Sequence, residues 1–146
     1  MAGTHKLRTL RGRLATDELR RLIVDDGNFN HAFRVVEFQV FPAAPSGGAQ
    51  ICPVILSLDY DANADFDASD SRQIGWSISN FDGAGQFSFF SPAVLDPDHV
   101  IVRDLWIKNT GQLDEVNYLI TLEAVDISDD QAILQLIKER SQDDSR

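Results

Sequence analysis

Val116-Asn117-Tyr118-Leu119-Ile120-Thr121-Leu122-Glu123-Ala124-Val125 is the stretch that decides the fold class. Val116, Tyr118, Ile120, Leu122 and Ala124 recur at every second position, so an extended chain puts all five on one face, whereas a helix would scatter them around its axis. Working towards the N-terminus, Val100 to Lys108 reads as another strand, set off by Pro97 before it and by Thr110-Gly111 in the turn after it. Gln86 to Phe90 is a further short strand. Ile74, Trp76 and Ile78 alternate with Gly75, Ser77 and Ser79, which predicts a half-buried strand with the large residues turned inward. Ile51 to Tyr60 places Val54, Leu56, Leu58 and Tyr60 on one face. His31 to Phe41 is the first strand of this series, ended by Pro42-Ala43-Ala44-Pro45-Ser46-Gly47-Gly48. Six or seven short strands with little helix between them predict a mainly β protein, an antiparallel β-sandwich or jelly roll.

Helices are expected only at the two ends. Thr16 can cap a short N-terminal helix whose apolar face is Leu19, Leu22 and Ile23, stopped by Asp25-Asp26-Gly27-Asn28. At the other end Ser128-Asp129-Asp130-Gln131 fits a capping box, with two acids where the helix dipole favours negative charge. Ile133, Leu134 and Ile137 then form the stripe of a C-terminal amphipathic helix, which must pack on the sheets or on another subunit. The resulting organisation is a basic arm over residues 1–15, a single domain over 16–141 and a polar tail over 142–146.

A chain of 146 residues can bury one core without disulfides, and Cys52 is its only cysteine. No apolar run approaches the roughly 20 residues needed to span a bilayer, and no apolar stretch with a cleavage site opens the chain, so a soluble protein without membrane insertion is expected. The formal net charge is −10, yet six of the thirteen Lys and Arg side chains (Lys6, Arg8, Arg11, Arg13, Arg20 and Arg21) fall in the first 21 residues. An acidic body repels phosphate over most of its surface. The arm is the exception: Lys6, Arg8, Arg11 and Arg13 could touch an acidic neighbour or nucleic acid, or could simply form a solvated tail.

The densest chemical feature is Asp59-Tyr60-Asp61-Ala62-Asn63-Ala64-Asp65-Phe66-Asp67-Ala68-Ser69-Asp70. Asp59, Asp61, Asn63, Asp65, Asp67 and Asp70 echo the ligand spacing of a calcium loop, because calcium takes six to eight oxygens. Ala64 stands where the sharp turn needs glycine and Asp70 where a longer bidentate glutamate is usual, so a solvated acidic connection competes with a calcium site. No cofactor is required by any motif. His5, His31 and His99 lack zinc spacing, and Asp98-His99 with Ser91 is more simply a capped turn than an acid–base pair. Cys52 before Pro53 suits the core, and Gly47-Gly48 and Gly83-Ala84-Gly85 lack the phosphate-loop pattern. Trp76, Trp106, Phe81 and the run Phe87-Ser88-Phe89-Phe90 fit a core better than a sugar-stacking platform. That run puts aromatics on both faces of one strand, so the strand is covered twice or meets a partner.

Four segments, Lys6-Leu7-Arg8-Thr9-Leu10-Arg11-Gly12-Arg13-Leu14, Asp70-Ser71-Arg72-Gln73-Ile74-Gly75-Trp76-Ser77, Pro97-Asp98-His99-Val100 and Asp130-Gln131-Ala132-Ile133-Leu134-Gln135-Leu136-Ile137-Lys138-Glu139-Arg140, together resemble small virion proteins of marine bacteriophages. The resemblance implies a capsid or capsid-associated protein without catalytic residues. It would be made in the host cytoplasm and carried in the virion, with copies of itself or a major capsid protein as partners. An extracellular calcium-dependent carbohydrate-binding module is the alternative, and a hydrolase on a jelly-roll scaffold comes third.

Overall fold

The computed structural model describes residues 7–24, 27, 31–43, 50–62, 64–81, 88–90, 93–111 and 115–126. Nine strands follow one another: β1 (Leu7–Leu14), β2 (Leu19–Ile23), β3 (His31–Pro42), β4 (Gln50–Ser57), β5 (Gln73–Phe81), β6 (Ser88–Phe90), β7 (Val94–Leu95), β8 (Asp104–Asn109) and β9 (Val116–Asp126). They form a three-stranded sheet in the order β1-β9-β3 and a larger sheet in the order β2-β8-β4-β5-β6, with β7 also paired to β5. All the pairings are antiparallel. Among the described residues there is no helix. The expected C-terminal helix, with Ile133, Leu134 and Ile137, and the tail over 142–146 lie outside the described residues.

The alternation read in Val116–Val125 positions β9 as the centre of the smaller sheet. Val116, Tyr118, Ile120 and Leu122 are buried and meet Leu14, Val54, Leu56, Ile74, Leu105 and Ile107 in one core cluster shared by both sheets. Removing each such aliphatic side chain from water contributes about 1.5–3 kcal/mol, so the two facing inner surfaces supply the main driving force. Cys52 is buried in the same cluster.

The pairing order has a simple form. β1 runs against β9, β2 against β8, Phe33 of β3 against Ile101, and β4 against β5. The first part of the chain thus pairs with the second as one long antiparallel ribbon. Rolling the ribbon brings β3 beside β9 and β4 beside β8, which closes the two sheets.

Three sequence expectations are corrected. The arm over residues 1–15 contains a strand, because Leu7–Leu14 pairs residue by residue with β9. The N-terminal helix does not form: Leu19–Ile23 is β2, its exposure alternating along the strand in register with β8. Asp17 turns the chain between these strands with a φ of 59°, a left-handed conformation that Asp tolerates better than most residues. The third correction is in β5. Ser77 and Ser79 face the core and Ile78 faces outward at 38% exposed, because the register slips between Leu56 and Ser57. That bulge puts Ile74 and Gly75 opposite the Leu56 end and leaves Ile74 in the core while the following residues take the opposite faces from those expected. The inward serines are accommodated partly by a bond between the two sheets, in which Ser79 Oγ donates to the Val40 carbonyl at 2.6 Å.

Candidate binding surface

The basic residues of the N-terminal segment seam the side where β1 and β2, the edge strands of the two sheets, lie near each other. Arg8 donates from Nη1 to the Val24 carbonyl at 3.0 Å, reaching from β1 past the end of β2. In the reverse direction Arg20 of β2 donates to the Arg13 carbonyl of β1 at 2.8 Å and pairs with Glu18 at 2.8 Å. Glu18 in turn accepts the Ala15 N–H, and this bond, ahead of Arg20, holds its carboxyl below the usual range. Gly12 makes room for Tyr118 of β9. It lies opposite Tyr118 in register, and a Cβ there would stand 2.6 Å from the tyrosine hydroxyl.

Of the proposed contact residues, Arg13 is paired with Glu115 at 2.7 Å and Arg8 is occupied by the backbone of its own chain. Arg11 is exposed on the outer face of the smaller sheet, beside Leu119. Lys6 lies outside the described residues. Arg21 meets Asp104 at 3.0 Å, and Lys108 pairs with Asp17 at 2.8 Å. Arg13, Arg20 and Arg21 are thus each paired with a carboxylate of their own chain, whereas among the described residues Arg8 meets only neutral carbonyls.

The acidic segment links β4 to β5 and folds through its own carboxylates. Asp59 Oδ1 accepts the Asp61 N–H, and Asp67 Oδ1 accepts the N–H and hydroxyl of Ser69, the Asx-type bonding that stabilises turns. Asp70 makes a two-pronged pair with Arg72, Nε to Oδ1 at 2.9 Å and Nη2 to Oδ2 at 3.2 Å, with the arginine side chain only 2% exposed. Gln73 ties the loop to the sheet: it receives the Asp67 N–H and the Trp76 Nε1–H on Oε1 and donates to the Asp65 carbonyl. Asp59, Asp61, Asp65, Asp67 and Asp70 thus share a loop, while Asn63 lies outside the described residues. Among the described residues no three His, Cys, Asp or Glu side chains gather as a metal site.

This loop borders the outer face of the larger sheet, where the apolar exposure concentrates. Register places Arg21, Trp106 and Ser57 in one row across β2, β8 and β4, and Leu19, Lys108, Ile55, Trp76 and Val94 in the next across β2 to β7. Pro53 and Ile78 pair in the row beyond, with Ile51 further along β4 at 57% exposed. Tyr60, expected on one face with Val54, Leu56 and Leu58, lies beyond the end of β4, is 59% exposed and meets Trp106 with ring centroids 5.8 Å apart and planes tilted by 49°. Trp76 and Trp106, expected in the core, are half-buried on this outward face. The side chains of Phe81 and of β6 are not among those described, and Phe87 lies outside the described residues.

His99 is buried and structural in its bonding. Nε2 accepts the Val35 N–H at 2.8 Å, and Nδ1 faces the Asp96 carbonyl. Ser91 and His5 lie outside the described residues. No helix among the described residues is long and apolar enough to cross a membrane. In comparisons with known proteins, no family model, no curated protein and no solved structure matches the chain.

Proposed function

We propose that the chain is a jelly-roll building block of a virion, a non-enzymatic coat subunit or capsid-decorating protein that assembles in many copies. The observation that carries the assembly reading is the outward face of the larger sheet, where Ile51, Ile78, Leu19 and Tyr60 are exposed around half-buried Trp76 and Trp106. Apolar groups gathered on one face of a small protein mark a surface that meets a partner. The rolled-ribbon pairing supports the jelly-roll form, an architecture used by capsid and lectin domains. The four segments that resemble phage virion proteins give the assembly its particular setting. Copies of the same chain or a major capsid protein are the partners. Among the described residues of the proposed contact set, Arg11 is the one exposed without an ion pair or backbone acceptor of its own chain, open to nucleic acid or an acidic neighbour.

Native mass spectrometry and sedimentation test the proposal on the full chain. The natural protein is expected to form closed multimers, and an Ile51→Ser/Ile78→Ser protein is expected to remain folded and monomeric. A natural protein that stays monomeric at every concentration would remove the coat-subunit reading. The second reading, a carbohydrate-binding module, draws on the Tyr60–Trp106 pair, since aromatic faces stack on sugar rings. Retention on a glycan column, lost in Tyr60→Ala and without multimers, would favour it.

A further inference from the structure

The outer edge of β3 is closed by very little strand pairing. β9 covers one side of β3 along its length, whereas the described ladder on the other side is the single bridge between Phe33 and Ile101. Two bonds make that bridge, Phe33 N–H to the Ile101 carbonyl at 2.7 Å and Ile101 N–H to the Phe33 carbonyl at 2.8 Å. Immediately beside it, where a partner strand would present a carbonyl, the acceptor for the Val35 N–H is the His99 ring. The β3 register slips just beyond, between Val35 and Glu37.

The bonding fixes the protonation state of His99. A backbone N–H can only donate, so Nε2 must be the bare nitrogen; a carbonyl can only accept, so Nδ1 must carry the hydrogen facing Asp96. A second proton has one place to go, Nε2, where it would point at the Val35 N–H. Two donors would then face each other in a site only 5% exposed. We propose that His99 is an acid-sensitive latch, holding the 96–101 segment against the edge of β3 while neutral and releasing that edge on protonation.

The surroundings favour the neutral ring. Burial lowers its pKa from the usual histidine value, the Asp96 carbonyl and carboxylate oppose this, and Arg34 adds to it. The titratable and charged groups of the elements around the ring are Asp96 and Asp98 on its own turn and His31, Arg34 and Glu37 on β3. β5, which anchors the turn through the Asp96 N–H to Ile74 carbonyl bond at 2.8 Å, and β7 contribute no charged residue. Because the closed-state pKa is depressed, the released state binds the extra proton. The latch is fully held above the free histidine value of 6.5 and weakens as pH falls from there to the closed-state pKa.

Amide hydrogen exchange read by NMR tests this on the full chain, using protection factors so that the pH dependence of intrinsic exchange cancels. Protection of Val35, Phe33 and Ile101 is expected to fall by about tenfold per pH unit below about pH 6.5, while Ile120 at the centre of the smaller sheet keeps its protection. Unchanged protection at Val35, or an equal fall at Ile120, overturns the latch. His99→Gln, whose side-chain carbonyl can still accept from Val35, is expected to abolish the acid dependence; a persisting dependence assigns it to another group and overturns the proposal. Ring nitrogen shifts of the natural protein supply the check that needs no variant. A doubly protonated His99 with Val35 still protected would be equally fatal.

Discussion

Asp70 shows how a residue's neighbours decide its chemistry. Its position in the acidic run suggests a calcium ligand, but the partner that claims it is Arg72, two residues on and buried with it. A bidentate carboxylate–guanidinium pair is geometrically specific, and its two charges are costly to leave unmatched away from water. Asp70→Ala is therefore expected to lower unfolding free energy by about 3–5 kcal/mol, and Asp70→Ala/Arg72→Met by less, because the double change leaves no lone buried charge. Urea unfolding of the two proteins checks this, and equal losses would mean that the pair is not coupled. Calcium would have to compete with Arg72 for the same carboxylate. Melting curves in calcium and in chelator are thus expected to coincide; a higher Tm in calcium would show that the other carboxylates suffice to hold the ion.

Within single strands, alternation was legible and the face was not always. In β9 the five alternating positions are inward, as the sequence implies, because nothing interrupts its register with β1 along eight residues. In β5 the same reasoning assigned the wrong face, since Ile74 is an extra residue between the Ser57 and Leu56 pairings and reverses everything after it, with Gly75 beside it as the local sign of such a bulge. The consequence is measurable: Ile74→Ala is expected to cost about 2–5 kcal/mol, while Ile78→Ser is expected to change monomer stability by no more than about 0.5 kcal/mol. Comparable losses at both positions would contradict the observed faces. β2 misled for a different reason. Leu19, Leu22 and Ile23 have helical spacing, but the strand is chosen by its pairing with β8 and by Arg20, whose reach to the Arg13 carbonyl no local propensity encodes. Of the candidate surface, Trp76, Trp106 and Tyr60 were visible as aromatics, and only the strand register and the Tyr60–Trp106 ring contact reveal that they share the outward side.

At the scale of the molecule, the N-terminal segment changes from appendage to component. Leu10 and Leu14 of β1 pack on or within the core, and the strand supplies the only described partner on that side of β9. Removing residues 1–15 is expected to lower Tm by well over the few degrees that loss of a solvated tail would produce, because apolar surface and ladder bonds are lost together. A truncated protein that melts with the full chain would show that β1 is dispensable.

The β1–β9 pairing also orders events in time. Leu10 meets Ile120, and β3 has only its bridge to Ile101 until β9 reaches it, so the smaller sheet must wait for nearly the whole described chain. β4 and β5, joined by one loop, can pair much earlier. Contacts between such distant parts of a chain slow folding, since loop entropy is lost before they form. During synthesis β1 leaves the ribosome before the other described strands and lacks its partner until β9 follows it, so among those strands its leucines wait longest for cover and offer a natural place for a chaperone to act.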